Sequence, residues 1–460
     1  MGDARGIQVQ SGPAGNTVYD NKIYNVSCET PGPGQGGSAI GMIISQGNDG
    51  SVTTVYNNYI GKLYSVNSIN PQAVVGIWYW GSSANTTNIY YNTVYLDGNV
   101  PGYSGCYMAN SVTSSVDLRN NIFVNNCVPT GGLEQMIYFF PSLTDTYLST
   151  SNNNILYSGT PGPLHIIYAD GMTGALTNIQ QSLSDFQTFA GPLRESNSKT
   201  ENAPFANTIT GSGSDYLHID LNATTLAESG AVAISGITDD YDGNVRQGNP
   251  GYPGNGTAPD IGADEFTHNK TLNLTVFLQG LYAGGGNMNQ AHDESGPHFA
   301  TGVADQITVE LHNASTYATI EYTSANVNLG TNGQVTLTTP GIKGGSYYIT
   351  VKHRNSIQTV TAIPVSLASG ANTYDFTDNS SKAYGNNLML MADGKYVIYG
   401  GDVNQDDIVD GSDMAPVDNL ASAFAAGYLP EDCNSDGLID GSDMSAVDNN
   451  ASAFIGASLP

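Results

Sequence analysis

The sequence predicts a mainly β protein with three parts in chain order: stacked short strands, an antiparallel sandwich and a small α-helical module. Short β-rich segments recur about every thirty residues over residues 4–170. An acidic loop followed by a helical pattern occurs twice, with nearly the same residues, in the last sixty residues. Alternating apolar and polar residues fill the stretch between them. We place the three domains at residues 1–266, 267–398 and 399–460.

Two motifs alternate along the first part. The first motif begins at positions spaced 35, 35, 29, 30 and 30 residues apart: Gly6, Gly41, Gly76, Gly105, Gln135 and His165. The second motif contains an asparagine in each of five copies: Asn21, Asn58, Asn92, Asn121 and Asn154. This spacing, without helical periodicity, predicts coils of several strands stacked with like residues above like. The asparagines should then form an internal ladder, each amide bonding to the next coil.

These repeats resemble those of right-handed parallel β-helix proteins of the pectate-lyase-like type, over residues 1–266. The resemblance extends through Asp239–Arg246 and Pro259–Phe266, which look like the closing segment of secreted β-helix repeat proteins. It implies a right-handed parallel β-helix whose end is tied down by these acids and by Arg246.

One face of the predicted coils carries large apolar residues. We expect one residue of each first motif to point inward: Ile7, Met42, Ile77, Cys106, Met136 and Ile166. Alternation along a strand then turns the neighbouring residues outward. The candidate contacts for a glycan or another subunit are Trp78, Trp80, Tyr107 and Phe139. The alternative is that long loops of the same coils cover this face.

Residues 1–266 lack the residue pattern of a polysaccharide-degrading site. They hold seven scattered bases: Arg5, Lys22, Lys62, Arg119, Arg194, Lys199 and Arg246. A lyase needs a clustered base, and a hydrolase needs paired carboxylates. We therefore assign no catalytic residues and favour a scaffold; if the chain is an enzyme, a polysaccharide lyase or glycoside hydrolase is expected.

The second part predicts an Ig-like antiparallel β-sandwich. Seven alternating segments begin within about 130 residues: Leu272, Gln306, Ala318, Gln334, Tyr347, Thr359 and Leu388. His353 and Arg354 end one predicted strand. These two residues could contact a ligand, or they could form a cluster at the strand end whose hydrogen bonds are satisfied within the protein. The cluster is favoured.

The last part carries two loops with the oxygen pattern of calcium sites. Side chains at loop positions 1, 3, 5, 9 and 12 and the carbonyl of position 7 converge on a hard cation in such loops. The ligands predicted for the first ion are Asp402, Asn404, Asp406, Ile408, Asp410 and Asp413. Those predicted for the second ion are Asp432, Asn434, Asp436, Leu438, Asp440 and Asp443. We therefore expect two Ca²⁺ ions, with the Gly437 loop the more regular.

Further expectations concern how the loops pack. Val409 and Ile439, at position 8, should pair the two loops through a short strand. Ser412 and Ser442 should open the helices. The helical spacing predicts two apolar stripes: Met414, Val417, Ala421 and Phe424, then Met444, Val447, Ala451 and Phe454.

The duplicated unit, residues 401–460, resembles a type I dockerin, and its ligand positions match residue by residue. The resemblance implies a double EF-hand-like module, folded by calcium, that docks onto a partner through the helices after each loop. The residue pairs Gly411-Ser412 and Gly441-Ser442 differ from those through which dockerins are known to recognise cohesin, their usual partner.

Composition limits the compartment and partners. The net charge is −28, and residues 401–460 hold twelve acids and no Lys or Arg. Such a surface repels nucleic acid and anionic membranes and attracts divalent cations. No apolar run is long enough to span a bilayer. Low charge content with many Gly, Asn, Ser and Thr is typical of secreted, extracellular or cell-surface β proteins.

Two further expectations concern the chain start and the cysteines. The start lacks an apolar signal segment, which predicts a mature form or a fragment, and it leaves the first coil open for end-on association. Cys28, Cys106 and Cys127 predict either a disulfide or buried thiols.

Two functions remain open at this point. The first is a non-catalytic extracellular calcium-binding protein: a surface adhesin, matrix component or filament subunit. Its partners would be other subunits, or a surface or scaffold protein bound through the C-terminal module, with polysaccharide as a further candidate. The alternative is a secreted polysaccharide lyase or glycoside hydrolase with a dockerin-like attachment module.

Overall fold

The computed structural model has two compact units, Met1–His268 and Asn269–Pro460. It describes residues 3–10, 15–28, 37–45, 50–68, 70–81, 84–110, 113–131, 134–140, 146–172, 175–252 and 258–460. Both units are mainly β, as the sequence predicts, and the helices are short. The division of the second unit near residue 398 stays a prediction.

The first unit contains short strands and one helix. In chain order they are β1 Ala4–Gln10, β2 Asn16–Tyr19, β3 Lys22–Ile23, β4 Val26–Ser27, β5 Ala39–Ser45, β6 Val52–Tyr56, β7 Tyr59–Gly61, β8 Leu63–Tyr64, β9 Gln72–Tyr79, β10 Thr86–Tyr90, β11 Thr93–Val100, β12 Tyr103–Ala109, β13 Ser115–Arg119, β14 Ile122–Pro129, β15 Gln135–Phe140, β16 Ile155–Tyr157, β17 His165–Met172, β18 Ala175–Gln180 and α1 Leu183–Ala190.

Most of these strands form three parallel sheets that share one core, and β4 and β8 form a further parallel pair. The orders are β1-β5-β9-β12-β15-β17, β2-β6-β10-β13 and β3-β7-β11-β14-β16, so each of the first four repeats adds one strand to each sheet. β18 joins the first sheet as an antiparallel edge. Met42, Val55 and Ile60, one from each sheet, belong to the same buried cluster. Helix α1 adds Phe186 to that cluster and stacks it on Tyr168, with ring centroids 4.8 Å apart.

The predicted asparagine ladder is confirmed. The amide of each ladder asparagine donates to the side-chain oxygen of the next, over distances of 2.8–3.1 Å: Asn21, Asn58, Asn92, Asn121 and Asn154. The residue before each has a left-handed backbone, with φ between 51° and 60°. That turn directs each amide inward. The ladder ends on Glu195, whose two carboxylate oxygens lie 3.1 Å from the Asn154 amide.

Asn92→Ala should destabilise the first unit by about 3 kcal/mol, because each buried partner left without a bond costs about 1–3 kcal/mol. The Asn92 side chain bonds to Asn58, Asn121 and two backbone carbonyls. Both tryptophans, Trp78 and Trp80, lie in this unit, so tryptophan fluorescence during urea unfolding measures the change. Asn21→Ala, at the ladder's more exposed end, is the control and should cost about 1 kcal/mol. Equal losses of unfolding free energy in Asn92→Ala and Asn21→Ala would contradict a stabilising role for the buried part of the ladder.

The expected register holds for the second motif and fails partway along the first. Val55 pairs with Val18 and Ile89, as predicted. Met42 pairs with Ile77, also as predicted, but Ile77 then pairs with Tyr107 and not with Cys106. Pairing between β9 and β12 shifts by one residue near Tyr103, where the strand enters the sheet. A one-residue shift reverses which side chains face the core.

The described residues of segment 199–266 (199–252 and 258–266) contain little regular structure and cover the five-stranded sheet. Their buried residues pack on Ile122 and Ile155 of that sheet and on Tyr91, which precedes β11. Side chains of four successive repeats bond to carbonyls of this segment: Asn57, Tyr91, Asn120 and Asn153. The expectation that Arg246 ties down the end of the repeats is therefore wrong. The segment lies along their side, and α1 with Glu195 closes the last repeat.

The second unit holds two main sheets, three separate two-stranded pairs and two α-helices. Its regular elements are β19 Lys270–Thr275, β20 Tyr282–Gly284, β21 Asn287–Met288, β22 His292–Asp293, β23 Gly296–Pro297, β24 Val303–Asn313, β25 Ile320–Gly330, β26 Gln334–Thr339, β27 Ser346–His353, β28 Ser356–Val360, β29 Val365–Ser366, β30 Ala371–Asp375, β31 Met389–Leu390, β32 Tyr396–Val397, α2 Gly411–Ser422 and α3 Gly441–Ser452.

The two main sheets of this unit pack against each other. One has the order β26-β19-β30, and the other is β25-β24-β27-β28. Leu272 and Leu274 of the first sheet share a buried core with Val309 and Val351 of the second. Every pairing is antiparallel except β19 with β30. Strand β30, at the sheet edge, was absent from the predicted segments.

Candidate metal centre in the duplicated tail

The first acidic loop gathers three carboxylates. Single oxygens of Asp402, Asp406 and Asp413 all lie within 4.8 Å of one another. Asp402 is fixed because its two oxygens accept from the backbone N–H groups of Asp406 and Asp407, both at 3.1 Å. Asp413 accepts from the backbone of Val403 at 2.8 Å. The loop backbone therefore holds three acidic oxygens together at loop positions 1, 5 and 12.

The second loop repeats this hydrogen-bond pattern. Asp432 accepts from the backbone of Asp436 at 3.1 Å and Gly437 at 2.9 Å. Asp443 accepts from the backbone of Asn434 and Asp440, both at 3.0 Å. Asp407 and Gly437, at position 6, both have positive φ, 71° and 86°. The turn is thus the same with either residue.

Electrostatics makes these loops suitable for a cation. Burial, with Asp413 beside it, raises the pKa of Asp402 to about 6. Burial and the neighbouring Asp443 raise the pKa of Asp432 to about 6. Carboxylates this close repel when ionised, and a bound cation removes that repulsion. The donors are oxygens, which suit a hard ion such as Ca²⁺.

Two predicted ligands have another role in the structure. Asp410 and Asp440 are the N-caps of α2 and α3, so the helices begin one residue before Ser412 and Ser442. Each accepts from the backbone N–H and hydroxyl of the following serine at 2.7 Å, which lowers its pKa. Calcium loops often reach position 9 through water, which leaves this arrangement compatible with an ion.

The loops pair differently from the expectation. Val409 donates its backbone N–H to Ile455, after α3, and Ile439 donates to Ala425, after α2. Each loop therefore pairs with the segment that follows the other repeat's helix, and the prediction of a loop-to-loop strand is wrong. The crossed pairing brings Val409, Val417, Ile439 and Val447 into one buried cluster.

The strand hairpin around residue 355 braces the second loop, which sequence reasoning missed. The Arg354 guanidinium donates to the carbonyl of Asp432 at 3.2 Å and to the Ser435 hydroxyl at 2.6 Å. The Asn355 amide donates to the same Asp432 carbonyl at 2.8 Å. Only the fold brings residues about eighty positions apart together. Arg354 and Asn355 therefore hold position 1 through its backbone carbonyl, while the Asp432 carboxylate contacts the N–H groups of its own loop.

His353 belongs to a satisfied strand-end cluster, as the sequence favoured. Its Nε2 lies 3.0 Å from Asp305 Oδ2, and its Nδ1 lies 3.0 Å from the Ser356 hydroxyl. Burial alone would raise the pKa of Asp305, but the His353 hydrogen bond and the Arg354 charge lower it to about 2. Burial lowers the pKa of His353. An ionised Asp305 therefore accepts from a neutral His353.

The predicted outward aromatic face is mostly buried. Trp78 is 3% exposed, and its indole donates to Asn110 at 3.1 Å. Tyr107 is 1% exposed and packs in the interior core, because of the register shift. Trp80 is 53% exposed and lies 5.1 Å from Trp78 between ring centroids. The Phe139 side chain lies outside the described part of the chain. Trp80 is thus the accessible member of the described set.

Cys106, Cys127 and Cys433 are buried thiols, and Cys28 is buried as well. Burial raises the pKa of Cys127 and that of Cys433 to about 12. These thiols stay protonated and unreactive at neutral pH. In the described residues, no helix is long and apolar enough to cross a membrane.

Comparisons with known proteins find little. No family model matches the chain, and no curated protein matches it significantly. Similar solved structures include two interface mutants, N-terminal and C-terminal, of a type II cohesin–X–dockerin complex from Acetivibrio cellulolyticus. Each is 14% identical, with a TM-score of 0.25, and the match covers 40% of this chain and 99% of that chain. Similarity this low supports no inference about fold or function.

Proposed function

We propose that this chain is a non-catalytic extracellular calcium-binding protein that attaches or assembles through its C-terminal module. In this proposal it serves as a surface adhesin, matrix component or filament subunit. Its three parallel sheets close into a right-handed parallel β-helix, and its two tail loops each hold one Ca²⁺. The shared core of the three sheets and the parallel stacking of strands from successive repeats support the β-helix. The converging carboxylates of the first loop and the matching hydrogen bonds of the second support the two Ca²⁺ sites.

The observation that carries the attachment proposal is a pair of exposed phenylalanines. Phe424 and Phe454 occupy equivalent positions of the two repeats, and each side chain is 92% exposed. They were expected in the apolar stripes, but α2 and α3 end at Ser422 and Ser452. The backbone then turns left-handed at each phenylalanine, with φ of 51° and 55°. That turn directs the ring out of the core.

Each phenylalanine lies near an exposed apolar residue of the other repeat's loop. Ala426 forms a backbone bridge with Leu438, and Gly456 forms one with Ile408. Leu438 is 56% exposed and Ile408 is 54% exposed. Exposed aromatic groups held by a rigid backbone are typical anchors of protein interfaces. We therefore propose that these apolar groups contact a protein partner, either another copy of the chain or a surface or scaffold protein.

Calcium places both phenylalanines, because each follows a helix that begins at a metal loop. The double variant Phe424→Ser/Phe454→Ser should weaken association at least about tenfold, since each buried aromatic anchor contributes about 2 kcal/mol or more. Sedimentation velocity in calcium measures self-association, and binding to a panel of purified cohesin domains measures attachment. The melting temperature should not change.

The matched control is Ile363→Ser, an apolar residue of the second unit that is 68% exposed and belongs to neither the acidic loops nor their helices. It should leave association unchanged. Monomers at every concentration, together with no cohesin binding, would contradict the proposal. Equal association of the double variant and the parent would remove the phenylalanines from it.

A further inference from the structure

Three distant stretches of the first unit converge on one point outside the calcium loops. His218, Asp242 and Asp264 each place one ligand atom within 4.8 Å of the others. Nε2 of His218 lies 2.5 Å from Oδ2 of Asp242. All three residues belong to the irregular segment 199–266, in which they are far apart in sequence. The fold therefore assembles an imidazole and two carboxylates without any local sequence motif.

The wall of this cluster holds buried polar atoms with unused bonding capacity. The Tyr59 hydroxyl and His218 Nδ1 have no hydrogen-bond partner among the described residues. Tyr59 is fully buried, and its ring centroid lies 5.0 Å from that of His218. Burial raises the pKa of Tyr59, and the charges of Asp264 and Asp242 raise it further. Unsatisfied buried polar atoms are uncommon in folded proteins, and an ion or water bound between these groups would satisfy them.

The local charge is negative. Asp264 is 7% exposed, and burial raises its pKa to about 6 despite the neighbouring His218. Asp240, also buried, adds to the negative charge around Asp264. The nearby cations have other partners: Lys22 donates to the Gly213 carbonyl, and Arg246 pairs with Glu265. A buried carboxylate needs a positive partner, which these residues supply only in part.

We propose that His218, Asp242 and Asp264 bind a divalent transition-metal ion of the zinc class. An imidazole nitrogen with two carboxylate oxygens suits Zn²⁺, whereas Ca²⁺ prefers oxygen ligands alone. The ion replaces the proton between His218 Nε2 and Asp242 Oδ2. Asp242 is the more exposed carboxylate, with 40% of its side chain accessible, and offers the entry path. This site is separate from the two acidic loops.

A metal here would act as a structural clip. Segment 199–266 has few backbone ladders of its own, so side-chain contacts hold it against the five-stranded sheet. His218 and Asp242 are 24 residues apart, and the ion would close that loop. It would also sit beside Tyr59 on β7, within the second repeat. Metal binding of this kind stabilises the folded state because the unfolded chain has no preformed site.

Zinc titration of the metal-stripped full chain tests the proposal. The buffer holds excess calcium so that the acidic tail loops are occupied by the ion that suits them. Isothermal titration calorimetry should show one zinc equivalent per chain, and zinc should raise the melting temperature of the first unit by several degrees. Substituted Co²⁺ should give the visible absorption of a nitrogen- and oxygen-ligated site. The absence of both the zinc equivalent and the cobalt spectrum would overturn the proposal.

Variants then assign the ligands. His218→Ala and Asp242→Asn should each weaken zinc binding at least about tenfold. The control is His268→Ala, because His268 also pairs with an acid, Glu228, at 3.9 Å in the same unit. The control should bind zinc as the parent does. If His218→Ala fails to fold, Asp242→Asn tests the ligand assignment instead, because the Asp242 side chain is partly exposed and its replacement should leave the fold intact. Parental zinc affinity in a folded Asp242→Asn or His218→Ala variant would overturn the assignment.

Discussion

Chelation of calcium is expected to melt helices α2 and α3 while the first unit stays folded. Each helix begins at the end of an acidic loop, and Asp413 and Asp443 bond to both the loop and the helix start. An ion at a hundred times its dissociation constant adds about 2.7 kcal/mol, so two ions contribute about 5 kcal/mol. Without them, clustered carboxylates with no Lys or Arg in residues 401–460 repel.

Amide hydrogen exchange with calcium or with EGTA at constant ionic strength measures this effect. Protection of the Val417 and Val447 amides should fall in EGTA, and tryptophan fluorescence, which reports the first unit, should not change. Asp402→Ala/Asp432→Ala should mimic EGTA. Asp418→Ala/Asp448→Ala, which removes helix carboxylates outside the loops, is the matched control. Equal protection in both buffers, or no calcium in the purified protein, would exclude the two-ion proposal.

Arg246→Met is expected to destabilise the first unit by roughly 3–5 kcal/mol, because it leaves a buried carboxylate without its charged partner. Arg246 is 0% exposed, and its Nη1 lies 3.2 Å from Glu265 Oε2. Its Nη2 donates to Asn57 and to the Gly262 carbonyl, both at 3.0 Å. The guanidinium also lies 4.0 Å from the Tyr91 ring centroid. One side chain thus joins the covering segment to two successive repeats.

Urea unfolding followed by tryptophan fluorescence measures this loss in the unit that contains both tryptophans. Arg5→Met is the control, since its ion pair with Asp3 is partly exposed, and it should cost about 0–1 kcal/mol. Arg246→Met/Glu265→Gln should recover part of the loss, because the uncompensated charge is removed. A cost below about 1 kcal/mol for Arg246→Met would show that the covering segment is held by its apolar contacts alone.

The sequence predicted the features that depend on spacing along the chain. The asparagine ladder follows from one amide at the same place in each coil, and the hydrogen bonds confirm it. The gathering of Asp402, Asp406 and Asp413 follows from alternate positions of one tight loop. In both cases the residues are neighbours in a repeated local unit, so periodicity alone identifies them.

Predictions from the sequence were wrong for side chains whose orientation depends on a one-residue register shift or on a single backbone turn. Tyr107 was expected outside, and a shift near Tyr103 turns it into the core. Phe424 and Phe454 continue an apolar helical pattern, but the helices end two residues earlier and the left-handed turns expose both rings. Local pattern does not contain that information, because each outcome depends on the strand or segment packed alongside.

By itself, then, the sequence determined a repeating β chain, an antiparallel pair of sheets and two acidic loops, since each is specified by local spacing. Only the tertiary structure decided which distant residues meet. It laid residues 199–266 along the repeats, brought Arg354 to the Asp432 carbonyl and joined His218 to Asp264. These contacts span tens of residues in chain stretches with no periodicity. Burial and charge in the folded core select which residues form these contacts, and a local sequence pattern does not contain that information.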